Sequence, residues 1–236
     1  YRINSFEPGR AVVYERIKNY WGKKLPVNLG RYNADIIRFD YYRDATGALE
    51  AFKAGDYDFR LENTSKIWAT GYNSPAFKEG LYKKFEIRHQ NPTGMLGFVY
   101  NTRKKIFEDP LVRQALALAF DFEWTNKTLF YGQYARTHSF FSNSELASSG
   151  RPSKEELQIF SPLKSRVPPE VFAETYKSPK TDGTGRIRKQ LRKARNLLEK
   201  AGWFIKGGKL VNKRFEKPFK FEILLISPAF ERIVLP

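Results

Sequence analysis

An aspartate followed by a proline, Asp109-Pro110, constrains the fold of this chain more than any other pair of neighbours. An aspartate at the N-cap accepts a hydrogen bond from a free amide of the first turn, and a proline at the first helical position removes no bond that would have formed. A helix therefore starts here. Leu111, Ala115, Leu118, Ala119 and Phe122 recur at three- and four-residue spacing, with Arg113, Gln114 and Asp121 between them, so one face is apolar. Upstream, Met95, Phe98, Val99 and Tyr100 form a short run of β-formers that the polar residues 101–105 end, which predicts a strand. Residues 122–131 read as a second helix with Trp124, Leu129 and Phe130 inward and Gly132 as its stop.

The same rules divide the rest of the chain. Residues 1–17 read as a β-hairpin turning at Glu7, Pro8 and Gly9, and the polar residues 23–34 as a crossover. Alternation from Ile36 to Tyr42 predicts a strand, and residues 45–54 a helix stopped by Gly55. Short strands are expected at 59–63 and 83–88, with a helical turn at 65–71 between them. From 135 to 185 the chain is irregular and rich in Pro, Ser, Gly and Thr, as in a segment wrapped over a larger body. Ile187, Leu191, Ala194, Leu197, Leu198 and Ala201 then mark an amphipathic helix whose other side carries Arg188, Lys189, Arg192, Lys193 and Arg195. A tight hairpin at 203–211, a strand at 219–225 and a helix start at 230–235 complete the reading, which is a mixed α/β fold.

Composition narrows the chemistry. The 236 residues contain no cysteine and two histidines, His89 and His138, so thiol nucleophiles, disulfides and thiolate or histidine-built metal centres are not expected. G-x-S-x-G, H-E-x-x-H, Walker and G-x-G-x-x-G motifs are missing, and no enzyme or cofactor is inferred. The net charge of +17 fits a polyanion partner such as nucleic acid, or a solvated basic surface. The basic helix lacks the interleaved aromatics of a base-stacking face, which favours the solvated surface.

The spaced residues Asn101, Phe107, Asp109, Pro110, Val112, Arg113, Ala115, Leu116, Ala119 and Asp121 resemble the signature of the peptide-binding branch of extracellular solute-binding proteins, the dipeptide and oligopeptide family serving ABC importers. Arg16, Tyr20, Trp21 and Gly22, together with Ala48, Ala51, Phe52, Ala54, Gly55 and Asp58, match two further family phrases. R-L-E-N at 60–63, W-x-T-G-Y at 68–72 and the serine-rich phrase at 139–153 resemble the YejA-like subgroup. The resemblance implies a periplasmic-binding-protein-like lobe with a mixed sheet flanked by helices. Residues 1–34 would then end a first lobe and cross over, and 35–236 would form an incomplete second lobe. The start at Tyr1 and the end after a strand-like run are read as those of a piece of a longer protein.

Function follows as an expectation: short peptides or peptide-like compounds captured between two lobes in the periplasm of a Gram-negative bacterium and delivered by a monomer to an inner-membrane ABC permease, without nucleic acid. The alternative is a basic nucleic-acid-binding module. By resemblance, the loop after the strand at 59–63 faces the interlobe cleft, making Arg60, Glu62, Asn63 and Trp68 ligand candidates. The loop after the second helix adds Arg136, His138 and Ser139. An ordinary surface ion pair is the competing reading of Arg60 and Glu62.

Overall fold

The structure is a computed structural model that describes residues 1–173 and 176–235. Its elements, in order, are β1 (Arg2–Glu7), β2 (Ala11–Glu15), β3 (Ile36–Asp40), α1 (Ala45–Ala54), α2 (Pro75–Lys78), α3 (Lys105–Glu108), α4 (Pro110–Ala119), α5 (Phe122–Thr128), α6 (Lys154–Phe160), α7 (Arg188–Lys200), β4 (Trp203–Lys206), β5 (Lys209–Asn212) and α8 (Glu231–Val234). Short 3-10 turns and one π turn, Ile67–Gly71, connect them. The chain folds as two compact units, one of Tyr1–Asn63 with Thr70–Lys84, the other of Thr64–Ala69 with the residues from Phe85 onward.

In the first unit, β1, β2 and β3 form an antiparallel sheet in that order. The hairpin turns where expected, and β3 hydrogen-bonds to β2 in continuous register from Ala11 opposite Asp40 to Glu15 opposite Ile36. The strand expected to open a second lobe is thus a member of the sheet that the hairpin begins. Residues 21–28, within and ahead of the expected crossover, form two 3-10 turns. α1 has the expected bounds: Asp44 accepts from Gly47 N at its start, and Gly55 ends it with φ +85°, a conformation open to glycine without steric cost. Phe52 of α1 stands 5.4 Å from Tyr57, 6.1 Å from Tyr72 and 5.3 Å from Tyr82, ring centre to ring centre, and these aromatics close the inner side of the helix.

The second unit is built around α4. Asp109 Oδ1 accepts from Leu111 N at 2.8 Å, the cap that the aspartate-proline pair predicts. Val112 and Ala115 are fully buried. α4 packs against α7, and Trp203 at the start of β4 joins Phe107 and Val112 in the core, with Leu116, Leu198, Leu210, Phe219 and Phe221 around them. Trp203 meets Phe219 edge-on at 4.8 Å and Phe215 at 5.5 Å. The apolar stripe of α7 faces this core through Ala194, while Arg188, Lys189, Arg192 and Lys193 are exposed.

Two differences from the sequence reading stand out. Residues 59–63, 83–88, 95–100 and 219–225 form no strand; Val99 is 96% and Leu224 92% exposed. A run of β-formers becomes a strand only when a second backbone completes the ladder, and among the described residues none does so for these runs. In the other direction, the tract expected to be irregular contains α6, started by a full capping box in which Glu156 N donates to Ser153 Oγ at 3.2 Å and Ser153 N to Glu156 Oε2 at 2.7 Å.

Candidate functional site

Arg60 and Glu62 lie on the loop that follows α1 in the first unit, and they meet in a small polar cluster. Arg60 Nε donates to Glu62 Oε2 at 3.2 Å and to the Tyr72 hydroxyl at 3.1 Å, and Nη1 donates to the Tyr57 hydroxyl at 3.0 Å. Tyr72 in turn donates to Glu62 Oε2 at 2.9 Å, and Tyr57 to the carbonyl of Ala48 in α1 at 2.6 Å. The two charged side chains are 13% and 5% exposed, so this is a nearly buried ion pair and not the surface pair of the competing reading. Isolated burial would penalise both charges, and the tyrosine hydroxyls supply the further hydrogen bonds that make it tolerable. Burial, followed by the bond to Glu62, pushes the Tyr72 phenol up to about 12. Burial alone would lower the Arg60 guanidinium, yet the bonds to Tyr57 and Tyr72 outweigh it and the net shift is upward. A depression of about 230 Å³ beside the cluster, lined by Phe52, Gly55, Tyr57, Asp58, Leu81 and Tyr82, is below the usual size of a ligand pocket.

Asn63 is exposed at the end of this unit's first segment. Trp68 belongs to the short 64–69 segment of the second unit, where its backbone N–H donates to Thr64 O at 2.9 Å and the residue is partly buried. The neighbouring Ser65 is buried, receives Arg232 Nη2 at 3.5 Å, and its own N–H points to the Tyr134 hydroxyl at 3.4 Å.

Arg136, His138 and Ser139 follow α5 in the second unit. The guanidinium carbon of Arg136 lies 5.3 Å from the centre of the Phe122 ring and 5.6 Å from that of Phe120, and Nη1 reaches Pro179 O at 3.4 Å. His138 is exposed. Ser139 organises its own turn: Oγ accepts from Phe141 N at 3.1 Å and Ser148 N at 3.4 Å, and its carbonyl accepts from Ser142 Oγ at 2.8 Å. His89 likewise accepts from Asn91 N at 3.2 Å within an exposed turn.

Tyr57 and Tyr72 complete the Arg60 cluster; Tyr57 carries no motif of its own, and Tyr72 ends the W-x-T-G-Y phrase without any signal that it meets R-L-E-N. The sequence reading missed the tie between Asp121 and the loop at 181–185. Asp121 caps α5 through Trp124 N at 3.0 Å, and Thr181 Oγ1 donates to the same carboxylate oxygen at 2.5 Å. Thr181 N donates to Glu123 Oε2 at 3.0 Å. Among the described residues no group of three or more His, Cys, Asp or Glu could hold a metal, and no helix is long and apolar enough to cross a membrane.

Residues 1–231 match the sequence family described as the middle of bacterial extracellular solute-binding proteins, family 5. YejA of Escherichia coli (strain K12) is 43% identical over 236 residues, which is 100% of this chain and 39% of that protein. The peptidoglycan-binding protein YepA of Agrobacterium fabrum (strain C58 / ATCC 33970) is 39% identical over 243 residues, with the same two shares. The chain therefore spans about two fifths of the length of these curated relatives. In architecture it is similar to the oligopeptide-binding protein AppA of Bacillus subtilis, solved in complex with a nonapeptide: the TM-score is 0.51 at 18% identity, covering 92% of this chain and 34% of that one. The fold is thus the mixed α/β fold of the solute-binding proteins, carried here over about a third of such a molecule, and with YejA-named relatives matching its full length the chain belongs to the bacterial extracellular solute-binding proteins of family 5.

Proposed function

We propose that this chain is part of the binding component of an ABC importer, a periplasmic protein that captures short peptides or peptide-like compounds between two lobes and hands them to an inner-membrane permease. The observation that carries the reading is the family match over residues 1–231, in a family defined by solute binding and not by catalysis. The names of two similar proteins, one peptidoglycan-binding and one oligopeptide-binding, support a peptide-like ligand. The exposure of Phe6, Val99, Leu224 and Ile226, at 68%, 96%, 92% and 91%, supports a larger whole, because such apolar surface needs a cover.

Closure of the lobes on ligand is hinge motion biased by contacts made in one state only. Within this proposal Arg60, Glu62, Asn63, Trp68, Arg136, His138 and Ser139 are the ligand-facing candidates. The shared sheet of β1, β2 and β3 favours placing residues 36–40 in the first lobe with 1–34, which moves the passage to the second lobe from 23–34 to the chain crossings near residues 63, 70 and 85. Calorimetric titration of the full-length protein with a mixture of short peptides tests the function. Saturable binding is expected; no heat at millimolar peptide overturns it and returns the +17 charge to the nucleic-acid reading.

A further inference from the structure

Two runs of the second unit have the sequence and the burial of strands and lack only a partner. In the run from 219, Phe219, Phe221 and Leu225 are partly buried while Lys220, Glu222 and Leu224 are exposed, and a period of two is the mark of a strand with one face on a core. In the run at 95–100, Phe98 meets the Phe120 ring at 5.9 Å and Tyr100 the Phe107 ring at 5.2 Å, while Val99 between them is exposed. Phe221 rests on the same Phe107 at 5.4 Å. The two runs thus stand on one aromatic, yet among the described residues no ring contact joins Tyr100 to Phe221 and no backbone hydrogen bond joins the runs. The later run is laddered only at its entry, where Phe219 N donates to Leu210 O at 2.7 Å and Pro218 bridges Val211 of β5. Beyond that entry, among the described residues, no backbone amide or carbonyl of 95–100 or 220–225 has a hydrogen-bond partner. An extended backbone with such a row of unpaired groups is a template for another strand.

We propose that 95–100 and 219–225 are the two sides of an open slot over Phe107, and that in the full-length protein an extended segment from outside residues 1–236 enters it and pairs with both. The similar YejA of Escherichia coli matches all of this chain with 39% of its own length, so most of such a protein lies outside the match. A segment of the same molecule is present at an effective concentration on the order of millimolar, which a second copy or a free peptide does not reach. The inner side chains of the segment would stand on Phe107 and its outer ones beside Val99 and Leu224, so it is a run of apolar β-formers, as strands covered on both faces are. The proposal rests on family membership and not on the peptide-binding reading.

Hydrogen exchange on the full-length protein, refolded free of ligand, tests it. The amides of 96–100 and 220–225 should exchange roughly a hundredfold or more slowly than those of the exposed turn at Gly207 and Gly208, as ladder amides do. Exchange as fast as that of the turn overturns the proposal. Protection that fades on dilution assigns the slot to a second copy, and protection that arises only with added peptide assigns it to the ligand; either result overturns the proposal too. A photo-crosslinking residue in place of Val99 identifies the occupant. It should join, within one molecule, a segment outside residues 1–236, and cross-links confined to 1–236 or formed between molecules overturn the proposal. Should the Val99 variant not fold, the exchange measurement on the unsubstituted protein decides.

Discussion

The hydroxyl of Tyr72 sits between the two members of a nearly buried ion pair, donating to Glu62 Oε2 at 2.9 Å and accepting from Arg60 Nε at 3.1 Å. Tyr72 itself is 4% exposed and carries the R-L-E-N loop onto the aromatic side of α1 through Phe52. Removing the hydroxyl leaves a buried carboxylate short of a donor, so Tyr72→Phe should destabilise the first unit by about 1–3 kcal/mol in denaturant titration.

The same residue sets an alkaline dependence. Its phenol is pushed up to about 12 in the folded chain from the ordinary 10.0, so the folded state holds the proton more tightly. That contribution to stability is complete below about pH 10 and is lost as the pH rises through 12. Tyrosinate absorbance should show a late step near pH 12 that Tyr72→Phe removes, and its persistence in the variant would assign the step to another tyrosine.

Asp109→Ala should cost roughly 1 kcal/mol through loss of the bond to Leu111 N, with ligand affinity of the full-length protein barely changed. The expectation is local: the cap starts α4, whose Val112 and Ala115 are buried and are not among the candidate ligand residues. A melting curve indistinguishable from the parent would count against the cap.

How far the fold could be read from residues depended on whether its signals were local. α1, α4 and α7 were readable because a helix closes its own hydrogen bonds, so caps such as Asp109 and stops such as Gly55 suffice; α5 was readable in its start, but it ends at Thr128 and not at the expected Gly132 stop. The hairpins were readable for the same reason. The runs at 95–100 and 219–225 were misread because a strand's partner is remote and its identity is not written in the run itself. α6 was a different kind of miss, since the Ser153 and Glu156 capping box is a local signal that the surrounding Pro, Ser and Gly obscured. In the candidate site, the R-L-E-N phrase drew attention to Arg60 and Glu62, and the loop after the second helix to Arg136. That Tyr57, Tyr72, Phe120 and Phe122 meet these side chains is fixed only by folding.

The basic face of α7 should be dispensable for folding. Replacing Arg188, Lys189, Arg192 and Lys193 by glutamine removes four exposed charges that have no ion-pair partner among the described residues. Exposed charges contribute little to stability, so the melting temperature should shift little and peptide uptake should persist. Normal folding with lost uptake would instead identify α7 as a docking face for the permease or the membrane.

The chain of 236 residues, expressed alone, should bind short peptides weakly or not measurably even when folded. A ligand enclosed between two lobes gains free energy from contacts on both sides, and this chain spans 39% of the length of its relatives. With one wall incomplete the peptide stays in water, where each hydrogen bond is worth about 1 kcal/mol net and must also offset the ordering of a flexible chain. Calorimetric titration with the peptide mixture used for the full-length protein compares the two directly. Micromolar or tighter binding by the chain alone would show that the site is complete within it, and would overturn the proposal that the ligand is enclosed between two lobes.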